Sequence, residues 1–304
     1  MKSIRLPRFN RSLEIAPMRL TQRDREILSH VHRHRFLRSG HVTALVGGSR
    51  QHTLRRLQLL YHHGYLERPR CQIDYYHRAG SRPIAYGLGN KGAGLLKREL
   101  TLPFHRVDWP RKNRVERLFL EHALIVSDFM VALETACRHR RDVRLLSEDD
   151  MNPPDEAIAT RTPFQWRVNI GHGLQCGVIP DRVFGLETAD GKRTWYVLEA
   201  DRGTMPVTRR DLEKSSIRRK LIAYEATWKQ NLHRTRFGWQ RLRVLTITTD
   251  AVRLHSIQSV CRELKRGRGL FLFAHLQRLT TQVNILQFNW ETFDGITHEQ
   301  LLPA

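Results

Sequence analysis

Residues 178–201 read VIPDRVFGLETADGKRTWYVLEAD, and their reading decides the second half of the chain. Two apolar runs, Val178-Ile179-Pro180-Asp181-Arg182-Val183-Phe184 and Thr194-Trp195-Tyr196-Val197-Leu198-Glu199, each read as a strand. Glu199-Ala200-Asp201 follows Asp181 by 18 residues. Residues two apart on a strand share a face, so Glu199 and Asp201 are expected to look toward Asp181 across adjacent strands. Three carboxylates gathered in one place repel each other unless a cation joins them. Mg²⁺ or Mn²⁺ prefers such oxygen ligands. A metal held there would activate a water and stabilise a pentacovalent phosphate. The plain alternative is that Asp181 and Glu199 are ordinary strand-end residues.

Working outward, a long helix is expected from about Asn113 to Arg138 and a strand from Val143 to Leu146. After the two central strands come a basic helix from about Arg209 to Lys229 and a strand from Leu242 to Thr248. A helix from about Ala251 to Leu264 and a strand from Leu270 to His275 follow. The order α-β-β-β-α-β, then α-β, is the core order of restriction-endonuclease-like nucleases. In that fold an Asp opens the second strand and an acidic-x-Lys lies on the third. This chain departs from the pattern, because Asp201 stands where the Lys belongs. A Lys from the next helix is the expected replacement. Ile217, Leu221, Tyr224 and Trp228 form that helix's buried stripe, with Lys214 in line with it and Lys220 on its shoulder. The candidate catalytic residues are therefore Asp181, Glu199, Lys214 and Lys220, and the candidate metal ligands Asp181, Glu199 and Asp201.

The N-terminal third has a different grammar. Residues 1–18 read as a flexible basic arm. Thr21 caps a first helix, with Asp24 three residues on and Ile27, Leu28 and Val31 as its stripe. Ser39 to about Val46 reads as a second helix, broken by Gly47-Gly48. Ser49 caps a third, Arg50 to His63, with Leu54, Leu57 and Leu60 toward the core and Gly64 at its end. Tyr65-Leu66-Glu67 and Pro83–Leu88 read as the strands of a wing, and Lys91 to Leu100 as a closing helix. Three helices and a hairpin of these lengths form a winged helix-turn-helix, whose third helix enters the major groove of double-stranded DNA. Arg50, Gln51, Thr53, Arg55, Arg56 and Gln58 are expected on its exposed face. Arg68, Arg70, Arg78 and Arg82 of the wing would meet backbone or minor groove. A winged helix serving only protein contacts is the alternative.

The whole is a mixed chain of α+β or α/β type, with the arm at 1–18 and a DNA-binding domain at 19–100. A linker at 101–112 precedes a nuclease-like domain at 113–304. Charge agrees with a polyanionic partner: of 304 residues, 52 are Lys or Arg and 30 Asp or Glu, a net charge of +22. Residues 1–70 carry +11, whereas 141–201 carry −4 and hold the carboxylates. The four cysteines form no CxxC pair, which speaks against a zinc ribbon or a disulfide framework and fits a reducing cytoplasm. No signal peptide or membrane-spanning run is expected.

Several segments together resemble the plasmid replication-relaxation family, which includes MOBC-type mobilisation relaxases. They are Leu20–Leu28, Thr53–Leu57 with Gly64–Glu67, and Arg82–Tyr86 with Lys91-Gly92. Glu121–Leu124 with Asp128-Phe129, Pro180-Asp181, Leu198–Thr204, and Lys220-Leu221 with Tyr224 complete the set. The resemblance covers roughly residues 19–290. It implies binding at a plasmid or integrated-element origin of transfer or replication, with strand-specific nicking. Partners among other mobilisation or replication proteins follow from the same resemblance. A non-catalytic regulator or accessory factor with a degenerate nuclease-like domain is the alternative. His30-Val31-His32 matches the histidine pair of another relaxase class, but falls inside the first helix, where i and i+2 diverge by about 200°. Tyr75-Tyr76 as a nucleophile, His122 as a ligand, and Glu148 beside the metal are weaker readings.

Overall fold

The computed structural model describes residues 6–12, 14–73, 83–100, 113–147, 150, 164–171, 173–281 and 284–302. The chain is an α+β protein whose residues pack as two compact units, Met1–Val131 and Ala132–Ala304. The linker expected at 101–112 lies outside the described residues, as do Arg78, Arg82, Tyr75, Tyr76, Glu148 and Asp149.

In the first unit, α1 (Gln22–His34) starts at a reciprocal capping box between Thr21 and Asp24. Two otherwise orphaned backbone donors are thereby satisfied. The chain continues through β1 (Phe36–Arg38), α2 (Ser39–Val46), α3 (Arg50–His62), β2 (Leu66–Glu67), β3 (Ala85–Leu88) and α4 (Asn90–Leu100). The three strands form an antiparallel sheet in the order β1-β3-β2. β1 was not expected: three residues carry no periodicity, and only the pairing of Leu37 with Tyr86 makes them a strand. Ile27, Leu28, Val31, Leu57, Leu60 and Leu88 share one core. α4 closes on it tightly, since a Cβ on Gly92 would lie 2.4 Å from the Tyr65 carbonyl oxygen. The helix α5 (Arg117–Arg138) contributes residues up to Val131 to this unit. Its Leu120 and Leu124 pack with Phe36 and Ala85, and Asp128 pairs with Arg38 and His41.

In place of a free arm, residues 6–12 lie along α3 and β2. Arg11 Nε donates to the Tyr61 carbonyl at 3.0 Å, Arg11 Nη2 to that of Leu66 at 3.2 Å, and the Ser12 amide to His62 Nδ1 at 3.1 Å. Burial, helped by the charges of Arg68 and Arg11, lowers the His62 pKa and keeps that acceptor unprotonated.

The second unit is built on a seven-stranded sheet. Its strands are β4 (Val143–Leu146), β7 (Arg182–Thr188), β8 (Arg193–Asp201), β9 (Leu242–Thr248), β10 (Phe271–His275), β11 (Trp290–Glu291) and β12 (His298–Glu299). They lie in the order β12-β11-β10-β9-β8-β7-β4. β4, β7 and β8 are antiparallel neighbours, whereas β8, β9 and β10 run parallel. Parallel neighbours need crossovers, here α6 (Ile217–Lys229) followed by the short α7 (Leu232–Thr235), and then α8 (Ala251–Arg262). α9 (Leu276–Thr281) follows β10. A separate hairpin, β5 (Trp166–Asn169) with β6 (Gln175–Val178), packs on α6, where Trp166 Nε1 donates to Thr227 Oγ1 at 2.8 Å.

Two expected boundaries move. The strand placed at 178–184 is the end of β6 joined to the start of β7. Pro180 and Asp181 break it, and Ile179 is exposed. The basic helix begins not at Arg209 but at Ile217, capped by Ser216. Trp228, assigned to its buried stripe, is 39% exposed.

Candidate metal centre and nucleic-acid face

The antiparallel ladder that pairs Arg182 with Leu198, carried one residue on, sets Asp181 opposite Glu199. The Asp181 amide donates to the Leu198 carbonyl at 3.2 Å, and Asp181 Oδ2 accepts from the Ala200 amide at 2.8 Å. Glu199 is buried. Lys220 and Tyr224 are one turn apart on α6, so both reach the same carboxylate. Lys220 Nζ lies 2.6 Å from Glu199 Oε2, and the Tyr224 hydroxyl donates to Oε1. Of the two lysines expected to replace the strand Lys, Lys220 is the one placed beside Glu199. Lys214 precedes the helix and is exposed beside Asp211.

The electrostatics are those of a crowded acid site with one cation. Burial raises the pKa of Glu199, the charge of Asp181 works in the same direction, and Lys220 works against it. Burial lowers that of Lys220, but the carboxylates of Glu199, Asp181 and Asp201 outweigh it and hold the ammonium charged. Tyr224 is pushed well above its ordinary range by burial and by Glu199, so it remains a donor.

Asp201 is engaged elsewhere. Arg253, on α8, holds it through two nitrogens, Nη2 at 2.8 Å from Oδ1 and Nε on Oδ2. Thr248 Oγ1, its neighbour in the β8–β9 register, donates to Oδ2 at 3.1 Å. Asp181, Glu199 and Asp201 do not all three bring oxygens within 4.8 Å of one another. Of the three carboxylates expected as ligands, Asp201 is thus held by a bidentate guanidinium fork. What fits a divalent cation is the pair Asp181 and Glu199, with hard oxygen donors beside a retained Lys.

On α3, Leu57 and Leu60 are in the core as expected, and only in the first turn does the buried position differ. Leu54 is exposed, and Thr53 is buried, donating to the Ser49 carbonyl at 3.1 Å. Arg56 is withdrawn too, since Nε sits 2.9 Å from Asp24 Oδ1 and Nη2 reaches both Asp24 Oδ2 and the Arg19 carbonyl. Arg50, Gln51 and Arg55 are exposed and Gln58 half-buried, and with Leu54 they share one side of the helix. Of the residues expected on a wing, Arg68 is buried, 4.1 Å above the Tyr61 ring, and donates to the Tyr86 hydroxyl at 3.2 Å. It is a structural cation. Arg70 remains exposed. His30, Val31 and His32 lie inside α1.

The replication-relaxation family model matches residues 28–240. That span takes in most of the first unit, both carboxylates and Lys220. The chain belongs to the replication-relaxation family, which points to a role in plasmid replication or mobilisation. No curated protein and no solved structure matches it. No helix among the described residues is long and apolar enough to cross a membrane.

Tyr224 and Arg253 are the site residues that sequence reasoning missed as such. Tyr224 had a usable signal, its one-turn spacing from Lys220. Arg253 had none, because it is 52 residues from Asp201.

Proposed function

We propose that this protein binds double-stranded DNA at an origin of a mobile element and nicks one strand there with Mg²⁺ or Mn²⁺ as cofactor. The first unit, read as a winged helix, would dock α3 in the major groove through Arg50, Gln51, Arg55 and Gln58. The observation that carries the catalytic half is the Lys220–Glu199 contact opposite Asp181. Two carboxylates and one ammonium at a strand end make the acidic pair and Lys of a restriction-endonuclease-like site. Asp181 and Glu199 would hold the metal, which would supply a water of lowered pKa and a Lewis acid for the scissile phosphate. The chain's own groups do the rest. Lys220, kept charged by its carboxylate neighbours, offsets charge gathering on the phosphate. Tyr224 fixes the rotamer of Glu199 through its hydroxyl. Arg253 removes Asp201 from competition for the cation.

Supercoiled DNA carrying the element's own origin tests this. Open circles formed with Mg²⁺ or Mn²⁺ and abolished by chelator, by Asp181→Asn and by Lys220→Ala, with DNA binding retained in both variants, are expected. One observation favours a second reading, that of a non-catalytic DNA-binding regulator: both oxygens of Glu199 already accept hydrogen bonds from the protein. Tight, salt-sensitive binding without a nick in any metal would establish that reading instead.

A further inference from the structure

The segment from Leu232 to Leu242 holds α7 and the loop that leads into β9. His233 and Trp239 are buried. Trp239 stacks on Phe237 at 4.5 Å and on Trp195 at 5.9 Å. The backbone closes on itself through the Gly238 amide to the Arg234 carbonyl and the Trp239 amide to that of His233, both at 2.9 Å. The Trp195 amide donates to the Arg241 carbonyl at 3.0 Å, which joins the loop to the start of β8. With the rings turned inward, Arg234, Arg236 and Arg241 are left exposed. Arg234 and Arg241 line one open cleft of about 610 Å³, and Arg236 and Arg241 line an adjoining one of about 780 Å³.

Three neighbouring cations are neutralised. Lys192 pairs with Asp190, Arg193 with Glu187 and Arg243 with Glu299. Arg234, Arg236 and Arg241 have no carboxylate partner among the described residues. Like charges exposed on one surface repel one another, and an anion bound beside them lowers that cost. Guanidinium forks suit phosphate oxygens. This surface lies at the strand ends away from Glu199, since β8 enters at Arg193 and six residues of strand, about 20 Å, separate the two.

We propose that Arg234, Arg236 and Arg241 form a second, sequence-independent contact for a DNA phosphate backbone, distinct from α3 and from the carboxylate pair. The proposal rests on the reading of this chain as a DNA-binding protein.

The test measures binding of the full chain to a random-sequence 30-base-pair duplex across a salt series. It compares the wild type, an Arg234→Ala/Arg236→Ala/Arg241→Ala variant and an Arg50→Ala/Arg55→Ala variant. Three lost phosphate contacts should lower the slope of log affinity against log salt by about 2.7, so that between 50 and 200 mM salt the wild type loses on the order of 40-fold more affinity than the triple variant. Arg→Lys replacement at the three positions should retain most of the slope. A wild-type slope in the triple variant, with the α3 variant impaired, overturns this contact alone. A wild type without salt-dependent binding overturns it together with the DNA reading. Loss of binding to phosphatidylserine vesicles in the triple variant, with DNA affinity unchanged, overturns it in favour of a lipid surface.

Discussion

Lys220 Nζ sits 2.6 Å from Glu199 Oε2, and the two residues come from a helix and a strand that meet only in the folded chain. Lys220→Ala would leave a buried carboxylate facing Asp181 without its cation. The expected loss is about 1–3 kcal/mol of stability, since removing one partner strands a charged hydrogen-bonding group. Tyr224→Phe should cost about 1–2 kcal/mol through the hydroxyl alone. Urea unfolding of the two variants reads both, and an unchanged midpoint in Tyr224→Phe would show that its bond to Glu199 does not exist.

Arg253→Ala is expected to free Asp201. The loss of two guanidinium bonds should destabilise the unit by about 2–4 kcal/mol, because Asp201 stays buried without its partner. Arg253→Lys should recover only part of this, since an ammonium cannot reproduce the fork. Equal stability of the Lys variant and the wild type would refute the bidentate account.

Asp24 gives the first unit an acid limit. Burial raises its pKa, but the hydrogen bonds and charge of Arg56 and the Thr21 cap outweigh this and hold it below the usual carboxylate range. A lowered folded-state value means that the stabilisation is full above the unfolded carboxylate pKa of about 3.9. It disappears as pH falls through the folded value. Asp24→Asn should therefore unfold more easily than wild type at pH 7, and the gap should narrow as pH falls below about 3.9. A constant gap across that range would contradict the linkage.

Gly185 lies opposite Trp195 in the β7–β8 ladder, and an added Cβ would come within 2.6 Å of the indole. The ring is wedged among Trp239 and its neighbours, so Gly185→Ala should cost about 1–3 kcal/mol by overpacking. Thermal unfolding with an unshifted midpoint would mean that the indole moves freely.

The four thiols are free, but three are buried. Burial pushes Cys137 up to about 11 and Cys261 up to about 12. A thiol reagent at pH 7.5 should modify Cys71 first, the half-buried one, and leave Cys137, Cys176 and Cys261 until unfolding. Rapid modification of two or more equivalents in the native protein would contradict this packing.

Much of this molecule can be read along the sequence where its signals are local. The Thr21 cap, the stripe of α1, the spacing from Asp181 to Glu199, and a Lys on the helix that follows are all such signals. What escaped is set by partners distant in the chain. Asp201 has the type and spacing of a ligand, and nothing along the chain announces that Arg253 holds it. Thr53 and Arg56 carry the residue types of a DNA-reading face, yet the packing of α3 against Asp24 and Arg23 takes them away. The hairpin β5–β6 was missed, although Trp166 and Val168 alternate inward with Arg167 and Asn169 outward.

The borders of the seven-stranded sheet carry a further meaning. One is β12, two residues long; the other is β4, four residues with Arg144 held outward by Glu187 and Asp150. Unpaired strand borders are templates for intermolecular stacking, and short lengths and outward cations blunt them. When many copies are crowded together, neither margin offers enough backbone to seed a cross-strand aggregate, so local concentration can rise without the sheets fusing.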